Sequence, residues 1–219
     1  MNRVKRYQIL CKLRDNNIHP VIGLAYRSEF ELLIAVLLSA QTSDIQVNKV
    51  TKNLFKVANI PKDMLRLGVD GVRNYIKSIG LSNNKSKNII ETCRLLIENH
   101  NGMLPSDRIG LESLPGVGRK TANIILNVVF GWATIAVDTH VFRFCNRSRF
   151  ALGNNVWSVE KKLLSVVPKE FKRNCHQWLV LHGKNICRAK QPRCRVCVIQ
   201  DLCEFKEKNS LYHSRKLYN

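Results

Sequence analysis

The chain is short of acidic residues, has no apolar run long enough to cross a membrane, and shows no sustained alternation of apolar and polar residues. Asp and Glu total 16 against 36 Lys and Arg, a net charge of +20 over 219 residues. Unless it reflects compositional drift, that imbalance favours a polyanionic partner, with fast association and an affinity that falls steeply with salt. The excess is heaviest at the two ends. Residues 169–219 carry 12 basic against 4 acidic side chains, and the N-terminal arm carries Arg3, Lys5, Arg6, Lys12 and Arg14 against Asp15. The longest apolar run, Leu32 to Leu38, falls far short of the ~20 residues a bilayer requires and reads as a core helix. No apolar leader segment with a cleavage site is visible, so the expected location is the cytoplasm, with nucleoid association if the source is bacterial. No membrane partner is expected, and the chain reads as a monomer.

With period-2 alternation missing and a 3.6-residue period almost everywhere, the expectation is an all-α protein of about ten helices. Besides an N-terminal helix and the Leu32–Leu38 helix, helices are expected near residues 44–58, 62–67, 70–78, 84–99, 107–113, 118–131, 139–145, 156–166 and 170–184. Breaks fall at Gly80, Asn101-Gly102, Leu104-Pro105, Gly131 and Pro168. Ser28-Glu29-Phe30-Glu31 has the form of a capping box. Ala133 to Val137 is the one stretch expected to run extended, and residues 208–219 read as a mobile tail. There is no internal repeat and no low-complexity segment. With 45% hydrophobic residues, the length allows a sizeable core in one or two compact units.

Against this background, Leu114-Pro115-Gly116-Val117-Gly118-Arg119-Lys120-Thr121-Ala122 stands out. Two glycines one residue apart permit backbone angles that other residues avoid, and the apolar positions after Thr121 continue as a helix. Such a turn offers N–H groups at the positive end of a helix dipole to an anion such as phosphate. A Pro-Gly-x-Gly sequence can also be no more than a tight connection. Lys120 falls in the first helical turn, where the dipole repels an ammonium; it is either an exposed residue whose small penalty is tolerated or a nucleophile. Downstream lies Val137-Asp138-Thr139-His140, in which Asp138 can cap the following helix or serve as a reacting carboxylate.

Four of the eight cysteines are compressed into Cys187-x6-Cys194-x2-Cys197-x5-Cys203. Without a secretory leader a disulfide framework is not expected, whereas four thiolates can hold zinc or a [4Fe–4S] cluster, and the spacing alone fits both. Arg188, Lys190, Arg193 and Arg195 lie in or beside this loop. A bound metal could fix them against a phosphate backbone, or they could simply be solvated. Cys11, Cys93, Cys145 and Cys175 read as small buried apolar residues. His176 and His182 are not needed by a four-thiolate site.

Together, the hairpin with Lys120, the aspartate motif Val137-Asp138-Thr139-His140-Val141, the 6-2-5 cysteine spacing and the segment Leu32 to Thr42 resemble the endonuclease III family of DNA base-excision glycosylases, within the helix-hairpin-helix superfamily. The resemblance spans about residues 1 to 210. It implies a six-helix domain at 22–132, a second domain of residues 1–21 plus 133–211 carrying a [4Fe–4S] cluster on Cys187, Cys194, Cys197 and Cys203, an active cleft between them, and a tail at 212–219. The implied partner is double-stranded DNA containing oxidised pyrimidines or abasic sites. Lys120 would attack C1′ of a flipped-out nucleotide, Asp138 would accept a proton and stabilise the developing oxocarbenium charge, and β-elimination would then cut the 3′ side. Gln41 would fill the space left by the flipped base and Leu81 would wedge into the duplex. Gly116, Gly118, Arg119, Arg188, Lys190 and Arg193 would contact DNA, with Lys85 and Lys87 in reach of phosphate. Ser82 departs from the aromatic residue expected after Leu81. A mismatch adenine glycosylase, the nearest rival, typically has no lysine at this place; a non-catalytic DNA-binding protein is the rival from another class.

Overall fold

The computed structural model describes residues 1–17, 20 and 22–208, so part of the expected tail, from 209 on, lies outside the described residues. The elements are helical throughout: α1 (Arg3–Asp15), α2 (Glu29–Leu38), α3 (Asp44–Val57), α4 (Pro61–Ile76), α5 (Ser82–His100), α6 (Arg108–Glu112), α7 (Arg119–Val128), α8 (Thr139–Arg147), α9 (Val156–Val166) and α10 (Lys169–Asn185), with 3-10 turns at Cys194–Val196 and Lys206–Lys208. No strand forms among the described residues, and the Ala133–Val137 stretch has no regular structure, although Ile135, Ala136 and Val137 are buried.

The helix starts follow local chemistry. Asn2, Ser43 and Asp107 each cap a backbone N–H of the first turn, Asn155 forms a reciprocal capping box with Ser158, and Pro61 opens α4 where its missing N–H costs nothing. At α2 the expected box is only half made. Ser28 accepts from the Glu31 N–H at 3.1 Å, but the Glu31 carboxylate turns to the Arg27 N–H at 2.6 Å. The two helices expected at 62–67 and 70–78 lie on either side of Gly68 within the span of α4; its φ of 71° and ψ of 173° are not helical. The helix expected to reach residue 131 stops at Val128, and the chain leaves it through Gly131 at φ 69°.

Two compact units result. One is Ile22–Trp132; the other joins Met1–Val21 to the chain from Ala133 onward. The first is organised around α2, whose residues from Phe30 to Leu38 are all buried and which packs on α3, α5 and α7. Burying each of Leu32, Leu33, Ile34 and Leu38 stabilises the fold by roughly 1.5–3 kcal/mol relative to exposure. In the second unit α1, α8, α9 and α10 share a core containing Ile9, Leu10, Val141, Phe144, Phe150, Leu163, Phe171, Trp178 and Leu179. The N-terminal helix is fastened there by Arg6 Nε donating to the Phe150 carbonyl at 2.8 Å, by Trp178 Nε1 donating to the Asn17 carbonyl at 2.9 Å, and by the Lys12–Asp201 ion pair at 2.8 Å. Gly183 lets α10 approach α8 closely, because a Cβ there would lie 2.9 Å from the His140 carbonyl oxygen. Cys93, Cys145 and Cys175 are buried as expected, whereas Cys11 is only half-buried.

Candidate functional site

In the Ile22–Trp132 unit, the hairpin is α6, a tight turn, and α7. Leu111, Leu114 and Val117 are buried and anchor it, and the Val117 N–H donates to the Leu114 carbonyl at 3.0 Å to close the turn. The two glycines serve different needs. Gly116 has φ 78°, and a Cβ there would stand 2.8 Å from Asn88 Nδ2 and 3.3 Å from Leu37 Cδ2, so both conformation and space require glycine. Gly118 is the N-cap of α7 at φ −91°, and a Cβ there would meet nothing within 4 Å. The protein's own packing therefore does not explain Gly118. No side chain caps α7, and Gly118, Arg119 and Lys120 are exposed at its start. The helix thus opens onto solvent with an amine in its first turn.

The remaining candidates in this unit are organised by one face of α5. Leu81, Lys85, Asn88 and Thr92 recur at helical spacing. Leu81 is the N-cap, Thr92 Oγ1 donates to the Pro115 carbonyl at 3.2 Å, and Asn88 stands against Gly116. Leu81 is 55% exposed with φ 60°, and Gln41 is exposed with φ 56°, so both expected DNA contacts are held in the left-handed region that such residues seldom occupy. Lys85 corrects the expectation made for it. It is 7% exposed, and its Nζ donates to the Leu38 carbonyl at 2.9 Å, the Ala40 carbonyl at 2.7 Å and Thr42 Oγ1 at 3.0 Å. All three ammonium hydrogens are used, burial pushes its pKa down from the ordinary lysine value, and none remains for phosphate. Lys87 is exposed. Sequence reading missed the role of Lys85 because a lysine in the polar first turn of a helix carries no signal of burial.

In the other unit α8 is the organising helix. Asp138 is its N-cap, with Oδ1 accepting from the His140 N–H at 2.9 Å and the Val141 N–H at 2.8 Å. Its side chain is half-buried. One turn and two turns further, Arg143 and Arg147 hold the cysteine loop by its backbone. Arg143 Nε donates to the Cys187 carbonyl at 3.0 Å and Nη2 to the Gly183 carbonyl at 2.7 Å, while Arg147 donates to the Arg188 and Ala189 carbonyls. Arg188, Lys190 and Arg193 are exposed on that loop.

Cys187, Cys194, Cys197 and Cys203 line one apolar pocket with Phe144, His182, Ile199 and Phe205. Among the described residues no three potential ligands converge closely enough for a single ion, and the four thiols stand around a pocket. Two side-chain nitrogens face the sulfurs. His182 Nε2 lies 3.4 Å from Cys197 Sγ, and Arg147 Nη1 lies 3.7 Å from Cys187 Sγ. Burial pushes the Cys197 thiol up to about 11 and raises Cys194 and Cys203 as well, and the same cause holds His182 down near 4, so its ring is neutral. His182, which a four-thiolate site would not need, lines this pocket; no spacing rule would have found that, since its approach to Cys197 is made by the turn after α10.

Comparison with known proteins gives a consistent picture. Residues 34–169 match the family model of HhH-GPD superfamily base excision DNA repair proteins. The chain is 63% identical to Endonuclease III of Escherichia coli K12, covering 95% of this chain and 99% of that protein. Among solved structures it is similar to a trapped Endonuclease III–DNA covalent intermediate in its estranged-adenine complex (TM-score 0.90, 40% identity, covering 96% of this chain and 99% of the other) and to a non-covalent Endonuclease III–DNA complex (TM-score 0.90, 39% identity, 96% and 99%).

Proposed function

The chain belongs to the HhH-GPD superfamily of base excision DNA repair proteins and, within it, to the endonuclease III family, and from that premise we propose that it is a DNA N-glycosylase and abasic-site lyase acting on duplex DNA that contains oxidised pyrimidines. The observation that carries this reading is Lys120, an exposed amine in the first turn of an uncapped helix, directly after a glycine turn that packing alone does not explain. The amide edge of that turn suits a phosphate, and the amine beside it suits attack on the attached sugar.

Lys120 Nζ, having given up a proton, bonds to C1′ as the N-glycosidic bond breaks and its electron pair leaves with the base, which is protonated on departure. Opening of the sugar ring gives an imine between Lys120 and C1′. Loss of a proton from C2′ then expels the 3′ phosphate oxygen and cuts the strand, and water releases the enzyme. Asp138 has the role of a fixed carboxylate. Two backbone N–H groups hold one of its oxygens, which orients the group to stabilise positive charge developing at C1′ and to take up a proton. The outward positions of Gln41 and Leu81 support roles in filling and opening the base stack, and the basic loop residues Arg188, Lys190 and Arg193 suit phosphate.

The four cysteines fit a [4Fe–4S] cluster, since they ring a pocket with apolar walls and the Arg147 guanidinium donates toward one of their sulfurs. Bound there, the cluster would supply a rigid cross-link between α10 and the chain that follows. Such a protein is brown with broad absorption near ~400 nm and about four irons per chain; a colourless protein with one stoichiometric zinc would refute the assignment. The place of action is wherever the DNA is held, the cytoplasm, with nucleoid association if the source is bacterial, and the protein acts as a monomer.

Borohydride trapping on a duplex bearing one thymine glycol tests the function. The parent chain forms a covalent adduct and Lys120→Ala does not. Base release without an adduct from the parent would make it a monofunctional glycosylase, and neither outcome with intact protein would make it a binder.

A further inference from the structure

Lys85 is a buried ammonium that the chemistry above does not use. Its three bonds close on the C-terminal carbonyl of α2, on Ala40 and on Thr42, the residues that bracket Gln41. Its backbone N–H donates to the Leu81 carbonyl at 2.9 Å. The side chain thus ties the chain on either side of Gln41 to the first turn of α5, the helix that begins at Leu81. A second tie runs parallel, with Gln46 Nε2 donating to Ser78 Oγ at 2.8 Å between the segments that flank them. Backbone held in the left-handed region at Gln and Leu persists only when its surroundings over-determine it. A cation at a helix C-terminus is favourable, but a buried ion is weak evidence for stability, since an apolar replacement often serves the fold as well.

We propose that Lys85 is a positioning residue that locks the Gln41 and Leu81 loops into one rigid double probe, so that both enter the duplex together when a base is turned out. This rests on the glycosylase reading above. Without the lock the Gln41 loop is free to move relative to Leu81, and the work of opening a paired base is no longer shared. The deficit therefore belongs to base opening rather than to bond breaking.

The experiment is single-turnover base excision at a temperature well below melting, on thymine glycol paired with adenine and on the same lesion opposite a missing nucleotide. The parent is measured first: failure to excise from either substrate would sink the glycosylase reading itself, separately from the role of Lys85. Lys85→Met is expected to slow the paired substrate about tenfold or more and to lower the paired-to-unpaired rate ratio by a similar factor. Lys85→Arg restores much of the ratio. Thr42→Val, which removes one of the three acceptors, shifts it in the same direction by less and remains informative if Lys85→Met folds poorly. In a Gln41→Ala/Leu81→Ala background, Lys85→Met adds little further loss. Equal slowing of both substrates, an unchanged ratio, or full additivity in that background would overturn the proposal.

Discussion

The starts of α7 and α8 are the same kind of backbone end finished in opposite ways. At α8 the Asp138 carboxylate accepts from two first-turn N–H groups, and its helix buries Val141, Phe144 and Cys145. At α7 the cap is a glycine with no side chain to offer, set among exposed residues and followed by an exposed lysine. One end is satisfied from within the protein. The other has no side-chain cap, and on the proposed reading this difference separates a residue held still for chemistry from a turn that receives a phosphate.

The largest way to break that comparison is Lys120→Ala. Strand cutting and borohydride trapping are expected to fall by about a thousandfold or more, as removal of a nucleophile does, while duplex affinity measured by fluorescence anisotropy changes only a few-fold. Wild-type-like nicking would show that the open end of α7 only binds. At α8, Asp138→Asn keeps an oxygen for the cap and removes the charge. Single-turnover excision should slow by roughly 10²–10⁴-fold with little change in melting temperature. Asp138→Ala also loses the cap and should cost about 0.5–2 kcal/mol of stability in addition. If both variants lose stability and neither loses rate beyond it, Asp138 is a cap alone.

The two glycines sharpen the comparison further. Gly116→Ala meets a left-handed φ and a 2.8 Å contact with Asn88, so roughly 1–3 kcal/mol of stability should be lost. Gly118→Ala has room for its methyl group, and calorimetry should register no more than about 1 kcal/mol. Its duplex affinity is nevertheless expected to drop about tenfold, equivalent to about 1.4 kcal/mol, because the methyl occupies the space into which a phosphate would come. Unchanged affinity would leave Gly118 without a role. Smallest is Arg193→Ala on the loop held by α8: a reduction of about one in the slope of log affinity against log salt, with excision at saturating protein little altered.

Much of the site was legible because its chemistry is local. The helical period, the cap at Asp138, the glycine turn and the cysteine spacing are properties of neighbouring residues, and each appears in the structure where its pattern lies. What was illegible depended on residues distant in the chain. Lys85 reads as one more basic residue in the polar start of a helix, and only the approach of the end of α2 and the chain after it provides its three acceptors. His182 gained its place beside Cys197 in the same way. Gly118 was misjudged in a different sense: it needs no unusual backbone angle, which shifts its meaning from turn geometry to ligand approach.

By itself the sequence determined that the chain is helical and basic, that a phosphate-suited turn carries a lysine, and that four thiols cluster near the C-terminus, since periodicity, charge and spacing act over one or two turns of chain. The tertiary structure alone decided which of its lysines is exposed and which is spent inside, which glycine packing demands, and which side-chain nitrogens face the sulfurs. Burial and hydrogen-bond partnership are set by segments far apart in sequence, and only folding brings these together.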